Sequence, residues 1–233
     1  MSSDHIDPNQ LRGWLASGRR GQAHVLGQGY QAKAFVYELQ DDTKLVIKTA
    51  KGWGLKRWLR RWMLQREYAA YRRLNGLNGI PHCFGLIDGR YLVLEYIEGS
   101  TFRERQDALR RDSVYFDRLR QDIAAMHHRG VAHTDLKCKD NLMVRTSGQP
   151  CMIDFGVAVV RKPGFAPINH FFYRIAKRFD QNAWLKLKYG HYRHIPHGEA
   201  AQLYRTPIER GAHWLKARYR EYFKHRTKSP GAW

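Results

Sequence analysis

Two aspartates lie nineteen residues apart in this 233-residue chain, Asp135 in His133-Thr134-Asp135-Leu136-Lys137 and Asp154 in Met152-Ile153-Asp154-Phe155-Gly156. Lys137 and Asn141 stand between them, and the apolar run Leu142-Met143-Val144 reads as a strand. Moving a phosphoryl group asks little covalent chemistry of a protein; positioning and charge neutralisation around the phosphates supply most of the rate. Two carboxylates and a lysine suffice for that, provided they converge. Either triplet alone is weak, because His-x-Asp and Asp-Phe-Gly recur by chance and the second can be a simple turn. Their order and spacing carry the signal.

Together the two stretches resemble the catalytic loop and the metal-binding Asp-Phe-Gly of the protein-kinase-like phosphotransferases. The resemblance implies ATP and magnesium as cofactors, with Asp135 as the base that orients an acceptor hydroxyl and Lys137 meeting the moving phosphoryl group. It also implies Asn141 and Asp154 as the metal ligands. One departure bears on the last pair: the family places its asparagine five positions after the catalytic aspartate, and here position five is Asp140 while Asn141 is sixth. Asn141 is the preferred ligand because the following apolar residues then fall in register with the usual strand. Asp140 is the alternative.

The elements that must position these groups lie upstream. Val25-Leu26-Gly27-Gln28-Gly29 followed by Ala32 to Leu39 reads as two strands around a glycine pair, where backbone amides can approach phosphates without side-chain obstruction. Gly27 and Gly29 thus resemble the nucleotide-covering turn, with Ala32 in place of its third glycine. Lys44-Leu45-Val46-Ile47-Lys48 alternates as a strand, and Lys48 resembles the lysine that binds the α- and β-phosphates. Its expected carboxylate partner is Glu67, the only acidic residue between Asp42 and Asp88, on a predicted helix through Leu64 to Leu74.

Ile80 to Ile87 and Tyr91 to Leu94 read as a hairpin closed by Asp88-Gly89. The following Glu95-Tyr96-Ile97 resembles the hinge between two lobes, with Leu94 behind the adenine and the Glu95 to Ile97 backbone meeting the base. Phe116, Leu119, Ile123 and Met126 have helical spacing, and Gly130 ends that helix just before the catalytic loop. His133 is expected to brace the loop by hydrogen bonding.

A formal charge of +20, from 41 basic and 21 acidic residues, predicts attraction to polyanions: nucleic acid, anionic lipid or a phosphorylated substrate. In Trp53 to Met63, helical spacing aligns Leu55, Trp58, Leu59, Trp62 and Met63 on one face with arginines beside it. That pattern suits an interfacial helix on an anionic membrane, or an apolar stripe that extends the Glu67 helix over the small lobe. Phe171 to Asp180 and Asn182 to Tyr189 read as two basic, aromatic helices, suited to core packing, to an acceptor site or to RNA.

Three cysteines without metal-ligand spacing argue against a disulfide framework and fit a reducing compartment. With no apolar run long enough to span a bilayer and no signal-peptide core, the expected location is cytoplasmic, with peripheral contact on the cytoplasmic membrane face left open. A short helix over Pro8 to Ala16 and a capping-box helix from Thr206 to Glu221 complete the expected elements.

The expected fold is α+β: residues 1–20 a lead-in, 21–98 a small lobe with an antiparallel sheet, and 99–233 a reduced helical lobe. Only 77 residues follow Gly156, and no Ala-Pro-Glu closes an activation segment. With Thr134 in place of the usual arginine, these features resemble bacterial lipopolysaccharide-core kinases and RIO-type kinases. The resemblance implies phosphoryl transfer to an alcohol, foremost a lipopolysaccharide-core sugar and alternatively a protein serine. A nucleotide-binding adaptor without catalysis is the reading from another class, and nucleic acid is a disfavoured partner.

Overall fold

Alternation along Lys44 to Thr49 produces the strand that carries the site: Leu45 and Ile47 are buried on one face, and Val46 and Lys48 point to the other. The computed structural model describes residues 12–13, 25–28, 33–38, 43–49, 54–110, 112–200 and 203. Gly29, most of the predicted helix at Pro8 to Ala16 and the predicted helix from Thr206 to Glu221 lie outside the described residues. The chain divides into two units, Met1–Ile195 and Pro196–Trp233. In the second, the described helix is α5, His197–Ala200.

The first unit is α+β, an antiparallel sheet followed by a mostly helical region. Strands β1 (Val25–Gln28), β2 (Lys33–Glu38), β3 (Lys44–Thr49), β4 (Cys83–Ile87) and β5 (Tyr91–Glu95) form one antiparallel sheet in the order β1-β2-β3-β5-β4. Opposed residues share a face, so the registers Ala34↔Lys48↔Leu92 and Val36↔Val46↔Leu94 build one surface of small apolar groups around a single lysine. Leu45, Ile47, Tyr91 and Val93 form the core of the other face. The β4–β5 turn holds the predicted Asp88-Gly89, both at positive φ, and the Arg90 amide closes it on the Ile87 carbonyl at 3.0 Å.

Between β3 and β4 runs α1, Gly54–Leu74, a single helix of 21 residues. Its second half buries Leu64, Glu67, Ala70, Tyr71 and Leu74, a stripe with helical spacing. Its first half does not: Trp58, Leu59 and Trp62 are exposed, so the expectation that they pack on the small lobe fails for these three, although the helix is continuous as that reading required.

Beyond the hinge, β6 (Gly99–Thr101), β8 (Leu142–Arg145) and β9 (Pro150–Met152) form a three-stranded sheet in the order β6-β8-β9. Gly99 is obligatory at its end: φ is +148°, and a Cβ there would lie 2.0 Å from the Val144 carbonyl oxygen. Helix α2 (Phe102–Leu109) opens with a capping box, the Thr101 hydroxyl accepting from the Glu104 amide and the Glu104 carboxylate from the Thr101 amide. Helix α3 (Ser113–His128) buries Phe116, Leu119, Ile123 and Met126 as its periodicity predicts. It delivers the chain to β7 (Val131–Ala132), which pairs with β10 (Val159–Val160).

Helix α4, Pro167–Tyr189, is one element where the sequence suggests two. Gln181 interrupts the apolar pattern without breaking the backbone, because a long polar side chain loses little in a helix. The second half of α4 is anchored by Trp184, whose indole N–H donates to the Phe116 carbonyl at 2.8 Å. Among the described residues, no helix is long and apolar enough to cross a membrane.

Candidate active site

Lys48 is the centre of the charge network. Its ammonium lies 2.6 Å from Glu67 Oε1 and 3.4 Å from Asp154 Oδ1, joining β3, α1 and the Asp-Phe-Gly stretch. The Lys48 side chain is 17% exposed and that of Asp154 is 54% exposed, so the lysine is seated while the aspartate faces open space. Burial opposes the charge on Lys48, but Glu67 and then Asp154 more than offset it and raise the lysine above its ordinary range. Burial likewise pushes the Glu67 carboxyl up and Lys48 pulls it back. The proton of the pair resides on the lysine, since its ammonium meets two carboxylates.

Asp135 is exposed, and one of its carboxylate oxygens is held: Asn141 donates its amide to Asp135 Oδ2 at 3.0 Å and to the Asp135 carbonyl at 3.1 Å. The Asn141 side-chain oxygen is therefore turned away from Asp135. Between Asp135 and Asn141 the loop makes two tight turns, the Cys138 amide on the Asp135 carbonyl at 3.2 Å and a 3-10 turn over Lys139–Asn141. Asp140 points elsewhere, with its two oxygens on the Arg103 guanidinium at 2.7 and 2.8 Å. That fork holds the Asp140 carboxyl below its usual range. The Asn141 carbonyl accepts from the Ile153 amide, placing the loop next to Asp154.

The backbone here is strained at two non-glycine positions, Thr134 at φ 71° and Asp154 at φ 66°. Left-handed conformations of this kind cost on the order of 1–3 kcal/mol each and persist only where the surroundings impose them. The imposing group at Thr134 is Asp180, from α4. Fully buried, it accepts from the amides of His133 (2.8 Å) and Thr134 (2.7 Å) and pairs with His127 Nε2 (2.9 Å). The Thr134 hydroxyl adds a bond to the Val157 carbonyl at 3.1 Å. Sequence reasoning missed Asp180; the one signal was an acid at the end of a run otherwise basic and aromatic.

His133 braces the loop as expected. Its Nδ1 accepts from the Asp135 amide at 3.3 Å, which leaves Nε2 to donate to the Ile153 carbonyl at 2.9 Å. Phe155 sits between the His133 ring (centroids 4.7 Å) and the Tyr71 ring (4.9 Å), and the Tyr71 hydroxyl accepts from the Asp154 amide at 3.1 Å. A packed column thus runs from α1 through Phe155 to the catalytic loop. Burial raises the Tyr71 phenol, which keeps it neutral.

Lys137 stands two residues from Asp135 with its ammonium 5.7 Å from the Phe179 ring centroid. Gly27 lies in β1 opposite Ala34, one strand removed from Lys48. In the hinge, the Glu95 amide already donates to the His82 carbonyl and the Tyr96 amide to Lys44, so the backbone group Glu95 can offer a base is its carbonyl. The Glu95 side chain is not turned to a nucleotide either: Arg145 holds it at 2.7 and 3.3 Å. Ile97 is buried beside it. Burial pushes the Glu95 carboxyl up, but Arg145 and the His82 amide hold it below the usual range. Burial pushes the Cys83 thiol up to about 11 and that of Cys151 to about 12, so both are structural rather than reactive.

This arrangement fits a magnesium nucleotide. The Ala34, Val36, Val46 and Leu94 surface offers an apolar wall for a base, Lys48 a fixed cation for phosphate oxygens, and Asn141 with Asp154 the hard oxygen donors that magnesium takes alongside phosphate.

The family model described as "Protein kinase domain" matches residues 21–172. Among curated proteins, the chain is similar to CBL-interacting protein kinase 12 of Oryza sativa subsp. japonica, 32% identical over 157 residues, covering 63% of this chain and 28% of that one. It is similar to serine/threonine-protein kinase ppk8 of Schizosaccharomyces pombe, 28% identical over 151 residues, with 59% and 28% covered. Against serine/threonine-protein kinase chk1 of the same yeast it is 30% identical over 137 residues, with 55% and 27% covered. The chain spans less than a third of the length of these relatives. Since the family model takes in well over half of the sequence, and the same stretch folds around Lys48, Glu67 and Asp154, the chain belongs to the protein kinase domain family, whose members use ATP and magnesium.

Proposed function

We propose that the protein is an ATP- and magnesium-dependent phosphotransferase acting on an alcohol, with a serine or threonine hydroxyl of a protein as its acceptor. The observation that carries the catalytic part is the contact of the Lys48 ammonium with both Glu67 and Asp154. The acceptor rests on the relatives named above, which are protein kinases.

Bound ATP supplies the γ-phosphoryl group, and magnesium neutralises its developing charge. Lys48, fixed by Glu67, neutralises the phosphates toward the adenine side. Asp154 and Asn141 carry the oxygens that would hold the metal. Asp135, with Oδ2 occupied by Asn141, keeps Oδ1 to accept a hydrogen bond from the acceptor hydroxyl and orient it. Lys137, two residues from Asp135, would meet the transferred group once its ammonium leaves the Phe179 ring.

A lipopolysaccharide-core sugar is the second reading, and one observation favours it. Ten residues, 157–166, separate Gly156 from the start of α4, and two of them are taken by β10, so little chain is left for a peptide-gripping activation segment. Nothing specific to RIO-type kinases adds to the first reading. Labelled γ-phosphate transfer to total protein, compared with transfer to purified core lipid, tests both. Label on protein that disappears in D135A and D154A supports the first; label confined to the lipid overturns it. ATP binding without transfer to either leaves the adaptor.

A further inference from the structure

Among the described residues, eight of the nine large apolar side chains that stand exposed lie on two segments. Trp58, Leu59 and Trp62 project from the first half of α1. Phe165, Ile168, Phe171 and Phe172 project from the turn before α4 and from its first turns. The two groups belong to one strip. The Arg66 guanidinium stacks on Trp62 at 4.7 Å and donates to the Ala158 carbonyl at 3.3 Å, beside exposed Val157. From there Asn169 and His170 clamp the 160–162 backbone onto the start of α4, with Asn169 accepting from the Lys162 amide at 2.7 Å.

The same segments are wholly one-sided in charge. Residues 54–66 hold five Lys or Arg and no acid, and residues 155–179 hold five more and no acid. Protein surfaces seldom leave this much apolar area uncovered. Phe165 is 97% exposed on Gly164-Phe165-Ala166, with no groove wall around it, which suits insertion into a fluid medium better than seating in a preformed pocket. A second copy would bring an equally positive face and be repelled.

We propose that this strip docks on an anionic lipid bilayer, Trp58, Trp62, Phe165 and Phe171 entering the interface while the flanking arginines and lysines meet lipid phosphates. The strip passes beside the catalytic loop, since the Thr134 hydroxyl is bonded to Val157, so docking holds the Asp135 side of the cleft near the membrane. The inference goes beyond the catalytic reading and does not depend on it.

The test uses the full chain with large unilamellar vesicles of phosphatidylcholine, with and without phosphatidylglycerol. Co-sedimentation is expected with the anionic vesicles only. W58S combined with F165S and F171S should lower partitioning by about tenfold or more, from the interfacial area those side chains lose, with an unchanged melting temperature and unchanged Mg-ATP binding. Brominated lipid should quench tryptophan emission, and W58F/W62F should remove that quenching. D135A should bind vesicles like the wild type, which separates this result from any failure of the catalytic reading. The proposal is overturned by absence of binding at low salt or by undiminished binding of the triple variant. It is also overturned if soluble polyglutamate is captured through the same aromatic residues as tightly as vesicles, which would assign the strip to an acidic macromolecule.

Discussion

Helices α1 and α4 do the same task by different physics. Each buries one carboxylate that shapes the active site, Glu67 from α1 and Asp180 from α4. Glu67 meets a cation, Lys48, and faces the cleft; Asp180 meets two backbone amides and a histidine, and faces nothing a ligand could reach. One carboxylate fixes a charge, whereas the other fixes a backbone conformation. The consequences of removing them should therefore separate, one appearing in activity and the other in folding.

The largest effect is expected at Asp180. D180A leaves two buried amides and His127 without their acceptor and removes the group that imposes the left-handed Thr134, a loss of about 3–5 kcal/mol. Thermal melting should show it, and D180N, which returns one acceptor oxygen, should recover part. An unchanged melting temperature in D180A would dissolve the contrast. E67Q comes next: phosphoryl transfer should fall by about a hundredfold, as for loss of a preorganised electrostatic group, with a melting temperature within a few degrees of wild type. A collapse in stability equal to that of D180A would show that Glu67 is structural too.

That contrast also explains what could be read in advance. Glu67 was legible because no other acid lies between Asp42 and Asp88, so a lysine in need of a partner had a single candidate. Asp180 was not, because a carboxylate that binds backbone amides leaves no partner residue type to look for. Strand β3, the Asp88-Gly89 hairpin and helix α3 announced themselves through periodicity and turn chemistry. Periodicity could align Trp58 with Trp62 but could not say which way the stripe faces, since a core and an exposed strip share one pattern. Strands β7 and β10, two residues each, are too short to leave a pattern at all.

A smaller effect sharpens the loop itself. N141A should lower metal affinity, and with it transfer, by about 10–100-fold, as for a lost ligand or its support. D140A should stay near wild type, because Asp140 is spent on Arg103. The reverse outcome would move the metal ligand to Asp140. The smallest effect lies at the hinge. Arg145 depresses the Glu95 carboxyl, so the stability this pair contributes is complete above the ordinary carboxylate range and is lost as pH falls through the lowered folded value. E95Q should flatten the acid side of a melting-temperature profile, by less than about 1 kcal/mol after solvent screening. An acid limb identical to wild type would remove the pair from the pH dependence.

Convergence of Lys48, Asp135 and Asp154 on one triphosphate is tested most directly by measuring magnesium-dependent ATP binding and single-turnover transfer on the same preparations of wild type, D135A and D154A. D154A should lose the magnesium dependence of binding, and D135A should bind Mg-ATP like wild type while transferring nothing. Transfer by D135A at the wild-type rate, or magnesium-dependent binding by D154A at wild-type affinity, would contradict it.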